Sequence, residues 1–143
     1  MQDEIEIGRV LDEMYAVISG PAGPRDWSRQ PALFHEASRQ VRTWIGEDGR
    51  MTMKMMGREE YAADAGPYFE ANDFYEIETA RKINVFGNIA HVWSIYEAKR
   101  DPNSDELDRR GINSIQLLKE PDGRWRVIHM VWDNERPGVV ASL

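Results

Sequence analysis

Apolar residues near the N-terminus recur at helical spacing. Leu11, Met14 and Ile18 follow one another at steps of three and four residues, which places them on one side of an α-helix. The segment 20–24 contains two prolines and two glycines, and it cannot continue that helix. The pattern therefore predicts an amphipathic helix over residues 3–19.

Two further helical segments are predicted in the first half of the chain. Asp26 can cap a short helix that carries Trp27 and ends near Pro31. Residues 58–71 have helical spacing again, and Gly66-Pro67 is expected to break or sharply bend this third helix.

A short hairpin is predicted between these helical segments. Residues 36–45 mix β-branched and aromatic residues and are followed by the turn signal Glu47-Asp48-Gly49. The segment 51–56 then returns as a second strand.

Two longer hairpins fill the second half of the chain. Residues 74–100 form strand, turn and strand around Gly87-Asn88, and residues 112–133 repeat that order around Asp122-Gly123. No linker or internal repeat divides the sequence, so residues 1–143 are predicted to form a single α+β domain.

The turn of the first long hairpin predicts which of its side chains share a face, because a two-residue turn sets the register. The pairs on one face are Val85–Ala90, Ile83–Val92, Arg81–Ser94 and Thr79–Tyr96. These residues are the smaller and more apolar set, so this face is predicted to point inward. Glu78 falls on the opposite, outward face.

The second long hairpin divides in the same way around its Asp-Gly turn. Its inward face is predicted to carry Asn113, Ile115, Leu117, Ile128, Met130 and Trp132. Its outward face then carries Ser114, Gln116, Trp125, Val127, His129 and Val131. A bulge in either strand would exchange the two faces.

The outward face of both hairpins would be too apolar for an isolated chain in water. We therefore expect a homodimer in which two copies cover this face with Trp93, Ile95, Trp125, Val127 and His129.

The composition excludes several classes of function. The net charge is −7 and the basic residues are scattered, so nucleic acid is not an expected partner. The absence of cysteine excludes disulfides and thiolate nucleophiles, and no histidine pair has ligand spacing, so no metal and no cofactor is expected. No apolar run approaches the roughly 20 residues that span a bilayer, so we expect no membrane association and a cytoplasmic protein.

Three stretches of the long hairpins resemble a known family. Residues 86–97, 110–117 and 123–128 are similar to the hairpins of the SnoaL-like branch of the nuclear transport factor 2-like superfamily. The resemblance implies the α+β, cystatin-type cone, in which a curved mixed or antiparallel sheet of about six strands wraps around N-terminal helices and leaves an internal pocket. The superfamily includes isomerases, dehydratases, cyclases and members without known activity, so it implies no single reaction.

The ketosteroid isomerases of this superfamily match the chain only in part. They place an oxyanion-donating tyrosine on the first helix, where this chain has Tyr15, and a pocket aromatic that Trp132 matches. Their general-base aspartate corresponds to Val41 or Arg42 here, and their second acid falls near Ile115 or Gln116. Because neither carboxyl is present, proton abstraction by that route is not expected.

The candidate site residues follow from the predicted inward face and the resemblance. The expected ligand-binding residues are Tyr15, Trp27, Arg81, Ser94, Tyr96, Asn113, Met130 and Trp132. The catalytic candidates are Tyr15 and Arg81, together with Asp64 and Asp133 if burial raises the pKa of either carboxyl. Structural roles remain open for several of these, such as an internal ion pair for Arg81 and a core position for Tyr15.

The resulting hypothesis is a protein that binds a small, apolar, cyclic ligand with an oxygen function. If it is an enzyme, we expect a cofactor-free lyase, isomerase or cyclase that uses acid–base catalysis. The alternative is a non-catalytic dimeric binding or interaction module.

Overall fold

The computed structural model describes residues 1–143 as an α+β fold in which helices cover one face of a sheet. Its elements in chain order are α1 (Gln2–Ile18), a 3₁₀-helix (Trp27–Ala32), β1 (Phe34–Ile45), β2 (Met51–Met56), α2 (Arg58–Ala71), β3 (Tyr75–Phe86), β4 (Ile89–Lys99), β5 (Arg109–Lys119) and β6 (Trp125–Asn134). Each predicted helix and strand is present within a few residues of its expected bounds.

The six strands form one curved, unclosed sheet in the order β2-β1-β6-β5-β4-β3. Neighbouring strands are antiparallel except for β1 and β6, which run parallel. The predicted mixed sheet around N-terminal helices is therefore confirmed. The main core lies between α1 and the concave face, where Ile7 and Leu11 meet Val92, Ile115 and Leu117.

The end of α1 is stabilised by one arginine. Its last carbonyl groups have no partner within the helix. Arg25 Nε donates to the Ile18 carbonyl at 2.9 Å, and Arg25 Nη2 donates to the Gly20 carbonyl at 3.1 Å. Asp26 accepts a hydrogen bond from the Ser28 N–H, which is the predicted cap of the following 3₁₀-helix.

Helix α2 continues through Gly66-Pro67, so the expected break was wrong. Pro67 lies inside the helix and removes one N–H, which leaves the Ala63 carbonyl without its usual donor. Both Pro67 and Ala63 are exposed, so water can hydrate that carbonyl. Neither α-helix combines the length and the apolar composition that crossing a bilayer requires.

The first long hairpin follows the predicted register as far as Ala80, which lies opposite Ile95. A β-bulge then places Glu78, and not Thr79, opposite Tyr96. Thr79 is the extra residue and is exposed. The prediction that Glu78 points outward was therefore wrong, because one extra residue reverses the faces of everything that precedes it.

The turn of the second long hairpin contains three residues, Pro121 to Gly123, because the Glu120 N–H donates to the Arg124 carbonyl. The register beside this turn is therefore shifted by one residue, and Trp125 and Val127 point into the core, where they are 2% and 0% exposed. They were predicted to lie on the outward face and to contact a second copy, and this placement was wrong. A bulge at Ile128 of β6 then restores the predicted register, in which Met130 lies opposite Ile115. Of the predicted interface residues, Trp93 and His129 remain exposed, whereas Ile95 lies on that face with 7% exposure.

Candidate functional site

A cavity of about 480 Å³ lies between the concave face of the sheet, α1 and α2. Most of its lining is aromatic or aliphatic, which suits an apolar ligand. Its aromatic lining residues are Tyr15, Trp27, Phe34, Trp44, Tyr61, Tyr68, Phe69, Phe74, Tyr96 and Trp132. Its polar lining residues include Gln40, Arg42, Asp64, Glu76, Arg109, Asn113 and Asn134.

Three aromatic rings from different elements form one wall of the cavity. Tyr61 of α2 meets Trp27 edge to face, with ring centroids 6.0 Å apart, and meets Trp132 of β6 in the same way at 6.2 Å. Burial raises the pKa of the Tyr61 hydroxyl above its ordinary range. This wall therefore presents aromatic rings and one neutral hydroxyl group, that of Tyr61, to the cavity.

Glu76 places a carboxyl group in these apolar surroundings. It lies near the start of β3, opposite the fully buried Ala98 of β4. Its backbone is held by Ser19, whose hydroxyl accepts from the Glu76 N–H at 3.0 Å. No protein group donates a hydrogen bond to its carboxyl, and burial raises the pKa of that carboxyl to about 7, with only partial opposition from Arg109.

Tyr96 and Asn134 form a hydrogen-bonded pair on the sheet beside Glu76. The Tyr96 hydroxyl donates to Asn134 Oδ1 at 2.6 Å, across the β5 strand that lies between them. Gly111 of β5 lies directly beneath this pair, and a Cβ atom there would be 2.5 Å from Asn134 Oδ1. The absence of a side chain at Gly111 therefore gives the phenol its path to Asn134.

Tyr15 belongs to a buried chain of hydrogen bonds. Asn113 Nδ2 donates to the Tyr15 hydroxyl at 2.9 Å, and that hydroxyl is 2.5 Å from Ser94 Oγ. Ser94 in turn donates to Glu78. Because the single Ser94 proton goes to Glu78, the Tyr15 proton must go to Ser94.

The direction of this chain bears on the predicted role of Tyr15. Its ring lines the cavity, but its proton is directed into the sheet and away from a ligand. Burial raises the pKa of its hydroxyl above the ordinary range. In this arrangement Tyr15 offers a ligand a lone pair, not the proton that an oxyanion donor supplies.

Solved structures match the chain over nearly its whole length. A nuclear transport factor 2-like protein with a cystatin-like fold from Novosphingobium aromaticivorans has a TM-score of 0.67 at 15% identity, over 92% of this chain and 80% of its own. A candidate ketosteroid isomerase from Shewanella frigidimarina has a TM-score of 0.61 at 20% identity, over 90% and 94%. A candidate Ca/calmodulin-dependent kinase II association domain from Exiguobacterium sibiricum has a TM-score of 0.66 at 15% identity, over 96% and 97%. This chain has the nuclear transport factor 2-like, cystatin-type fold.

The fold predicted from the hairpin resemblance is therefore confirmed. No protein-family model and no curated protein sequence matches the chain. Identities of 20% or less show a common fold and leave the reaction to be argued from the cavity itself.

Within this fold, five of the predicted ligand-binding residues other than Tyr15 line the cavity together: Trp27, Tyr96, Asn113, Met130 and Trp132. Arg81 and Ser94 do not line it. Arg81 Nε donates to Glu78 at 2.7 Å and Arg81 Nη2 donates to Asp12 at 2.5 Å, so Arg81 forms the internal ion pair that its sequence position left open. Ser94 is enclosed between Tyr15 and Glu78.

Both predicted carboxylates are paired with cations. Asp64 lines the cavity, but Lys54 at 2.6 Å and Arg42 at 2.8 Å lower the pKa of its carboxyl, so it stays ionised and paired. Asp133 is not part of the cavity lining, and its carboxylate accepts from Arg136 at 3.0 Å. No group of three or more histidine, aspartate or glutamate side chains is arranged to hold a metal ion.

Sequence reasoning missed Glu76, Arg109 and Asn134. Glu76 was missed because the bulge at Thr79 reverses its face, and an ordinary Thr-Ala pair does not reveal a bulge. Arg109 was missed because the predicted hairpin begins at residue 112, whereas β5 begins at Arg109. The alternation of Arg109, Gly111 and Asn113 along one strand face was the available signal for its inward position.

Proposed function

We propose that the cavity binds a small cyclic ligand with an oxygen function and that Glu76 acts on it as a general acid–base group. The observation that carries this proposal is a carboxyl group with a pKa of about 7, no protein hydrogen-bond donor and an aromatic cavity in front of it. The fold adds support for a ligand-binding or isomerase-type role, since a neighbour in fold is named as a candidate ketosteroid isomerase.

A carboxyl group of this kind suits proton transfer at neutral pH. At pH 7 both its protonated and its ionised forms are populated, so it can take a proton from carbon and return it. Glu76 and Asp64 both carry a carboxyl group, but their surroundings differ, because two cationic partners keep the Asp64 carboxyl ionised. The comparison of these two carboxyl groups therefore favours Glu76 as the general base.

The developing oxygen charge of such a reaction needs a hydrogen-bond donor. Asn134 accepts from Tyr96 through its Oδ1, which leaves its Nδ2 without an acceptor in the protein. Asn113 uses one N–H for Tyr15 and retains a second. Both amides line the cavity and are the donors that we assign to a ligand oxygen.

Hydrogen–deuterium exchange of 2-tetralone tests this proposal. This bicyclic ketone has exchangeable C–H groups beside its carbonyl, and NMR in D₂O follows their loss. We expect the wild-type protein to accelerate exchange and Glu76→Gln to reduce that acceleration about 100-fold or more. Glu70→Gln is the matched control, because Glu70 is an exposed carboxylate of α2 outside the cavity. Exchange that is equally fast with Glu76→Gln would contradict the assignment.

A non-catalytic dimeric module is the second candidate. It is supported by the exposed apolar residues of the convex sheet face, where Phe86 is 84%, Ile89 55% and Trp93 40% exposed. A neighbour in fold is also named as a candidate association domain. On this proposal two copies meet through the face that carries Trp93 and His129.

Sedimentation equilibrium tests whether the protein is a dimer or a monomer. We expect a dimer for the wild type and a monomer for Trp93→Lys. Leu107→Lys, which adds the same charge at an exposed loop position, should leave the dimer intact. A monomeric wild type, or equal effects of both substitutions, would overturn the dimer.

A further inference from the structure

Arg109 is a cation at the cavity that has no acidic partner. Its guanidinium lies over the ring of Phe74, with Cζ 5.6 Å from the ring centroid. It takes part in no ion pair, whereas its neighbour Arg110 pairs with Glu97 and the other cavity arginine, Arg42, pairs with Asp64. Because Arg109 forms no salt bridge within the protein, its guanidinium is available to an anion that enters the cavity.

The strand register places Arg109 in line with Glu76. Arg109 of β5 lies opposite Ala98 of β4, and Ala98 lies opposite Glu76 of β3. Residues that face one another across strands share a face of the sheet, so Arg109 and Glu76, which both line the cavity, lie on the same face as Ala98. Two inter-strand spacings separate the backbones of Arg109 and Glu76 by roughly 10 Å.

The contact with Phe74 leaves the hydrogen-bonding edge of Arg109 free. Stacking on a ring uses the flat face of a guanidinium, whereas its N–H groups lie in the plane of the fork. That fork presents two parallel N–H donors, which match the two oxygens of a carboxylate.

We propose that the ligand carries a carboxylate, which Arg109 binds at the edge of the cavity while the ring enters among the aromatic side chains. This inference rests on the proposed function, because it names the class of ligand for the same cavity. It makes Arg109 a specificity residue: it selects cyclic carboxylic acids over neutral compounds of equal shape. The bound carboxylate lies on the Arg109 side and leaves the ring facing Glu76.

Titration calorimetry at pH 8 with 2-naphthoate and 2-naphthamide tests the proposal. The two probes have the same ring and nearly the same shape, and only the first is charged. We expect the wild type to bind 2-naphthoate about 10-fold more tightly than 2-naphthamide, as a charge-assisted hydrogen bond provides. Arg109→Gln should abolish this preference by weakening 2-naphthoate alone.

Arg124→Gln is the matched control, because it removes one positive charge from the exposed turn between β5 and β6 and should keep the preference. Arg109→Lys should retain part of it, since lysine keeps the charge and loses the fork. A wild type that binds both probes equally, or an Arg109→Gln variant that keeps the preference, overturns the carboxylate and leaves the ligand-binding cavity standing. Failure of both probes to bind the wild type would count against the inference and the proposed function together.

Discussion

Glu78 lies opposite Tyr96 on strands β3 and β4, one residue away from the register that the Gly87-Asn88 turn predicts. In that predicted register Thr79 would occupy this place and Glu78 would point outward. The bulge thus turns two acids inward: Glu78 joins Ser94 and Arg81, and Glu76 reaches the cavity. The pairing of Glu78 with Tyr96 therefore places Glu76 on the cavity side of the sheet, and the proposed chemistry depends on that position.

Deletion of Thr79 tests this view of the bulge. Without Thr79 the ladder becomes regular, and Glu78 still lies opposite Tyr96 because the residues on either side keep their faces. We expect Glu76 to keep its raised pKa, measured by NMR titration of its side-chain carboxyl carbon, and the free energy of unfolding to fall by about 1 kcal/mol. Thr79→Ala, an exposed substitution, should change that free energy by less than about 0.5 kcal/mol. An ordinary pKa for Glu76 in the deletion variant would contradict this view.

The local pattern of the sequence was sufficient to predict the elements of the fold. Gly87-Asn88 forms the predicted two-residue turn, and the helical spacing of α1 places Leu11 and Met14 in the core. These features depend on neighbouring residues alone. The fold could therefore be predicted from periodicity, turn chemistry and the family resemblance.

The candidate site was predicted less completely, because it depends on pairing between distant strands. A bulge changes which face a side chain occupies, and Thr79 carries no sequence signal for one. Glu78 was therefore assigned to the outward face, and Trp125 was assigned to an interface because the turn before it contains three residues and not the predicted two. Asn113 and Trp132 lie opposite each other in the predicted register, and their predicted inward positions agree with the structure.

Ser94→Ala should destabilise the protein through the buried chain of hydrogen bonds. Ser94 is 0% exposed, and its loss removes the acceptor of the Tyr15 proton together with a donor to Glu78. We expect urea denaturation to show a loss of about 2 kcal/mol in the free energy of unfolding. Ser114→Ala removes a hydroxyl that bonds His91 at 3.0 Å on the convex face, where water can replace it, and should cost less than about 1 kcal/mol. Equal losses for the two variants would show that the buried chain contributes nothing beyond a surface hydrogen bond.

The stability of the protein should depend on pH through Glu76. Burial raises the pKa of its carboxyl from the ordinary 4.5 to about 7 in the folded state, so the folded state binds the proton more tightly than the unfolded chain between these values. Stability is therefore greatest below about pH 4.5 as far as this group is concerned, and it is lost as the pH rises toward 7.

Glu76→Gln removes this dependence because glutamine does not titrate. The difference in the free energy of unfolding between variant and wild type should shift in favour of the variant, by on the order of 2 kcal/mol, when the pH is raised from 5 to 8. Urea denaturation of both proteins at the two pH values measures the shift, and contributions from all other groups cancel in the comparison. A difference that does not change with pH would mean that Glu76 titrates normally in the folded state.

Gly111→Ala should show that the Tyr96–Asn134 pair needs an empty position beneath it. Gly111 does not have a positive φ, so alanine meets no conformational penalty there and its cost comes from space alone. The added Cβ would lie 2.5 Å from both Asn134 Oδ1 and the Asp133 carbonyl oxygen, and it would also contact the Tyr96 hydroxyl. We expect a loss of about 2 kcal/mol in the free energy of unfolding.

A double-mutant cycle separates these contacts. Tyr96→Phe removes the phenol oxygen. The loss of unfolding free energy in the double variant with Gly111→Ala should therefore be about 1 kcal/mol smaller than the sum of the two single losses. The Asp133 carbonyl belongs to the backbone and cannot be removed in this way, so rescue should be partial. Strictly additive losses would mean that the clash of the added Cβ atom is with the backbone of β6 alone. The hydrogen bond from the Tyr96 hydroxyl to Asn134 would then not require glycine at position 111.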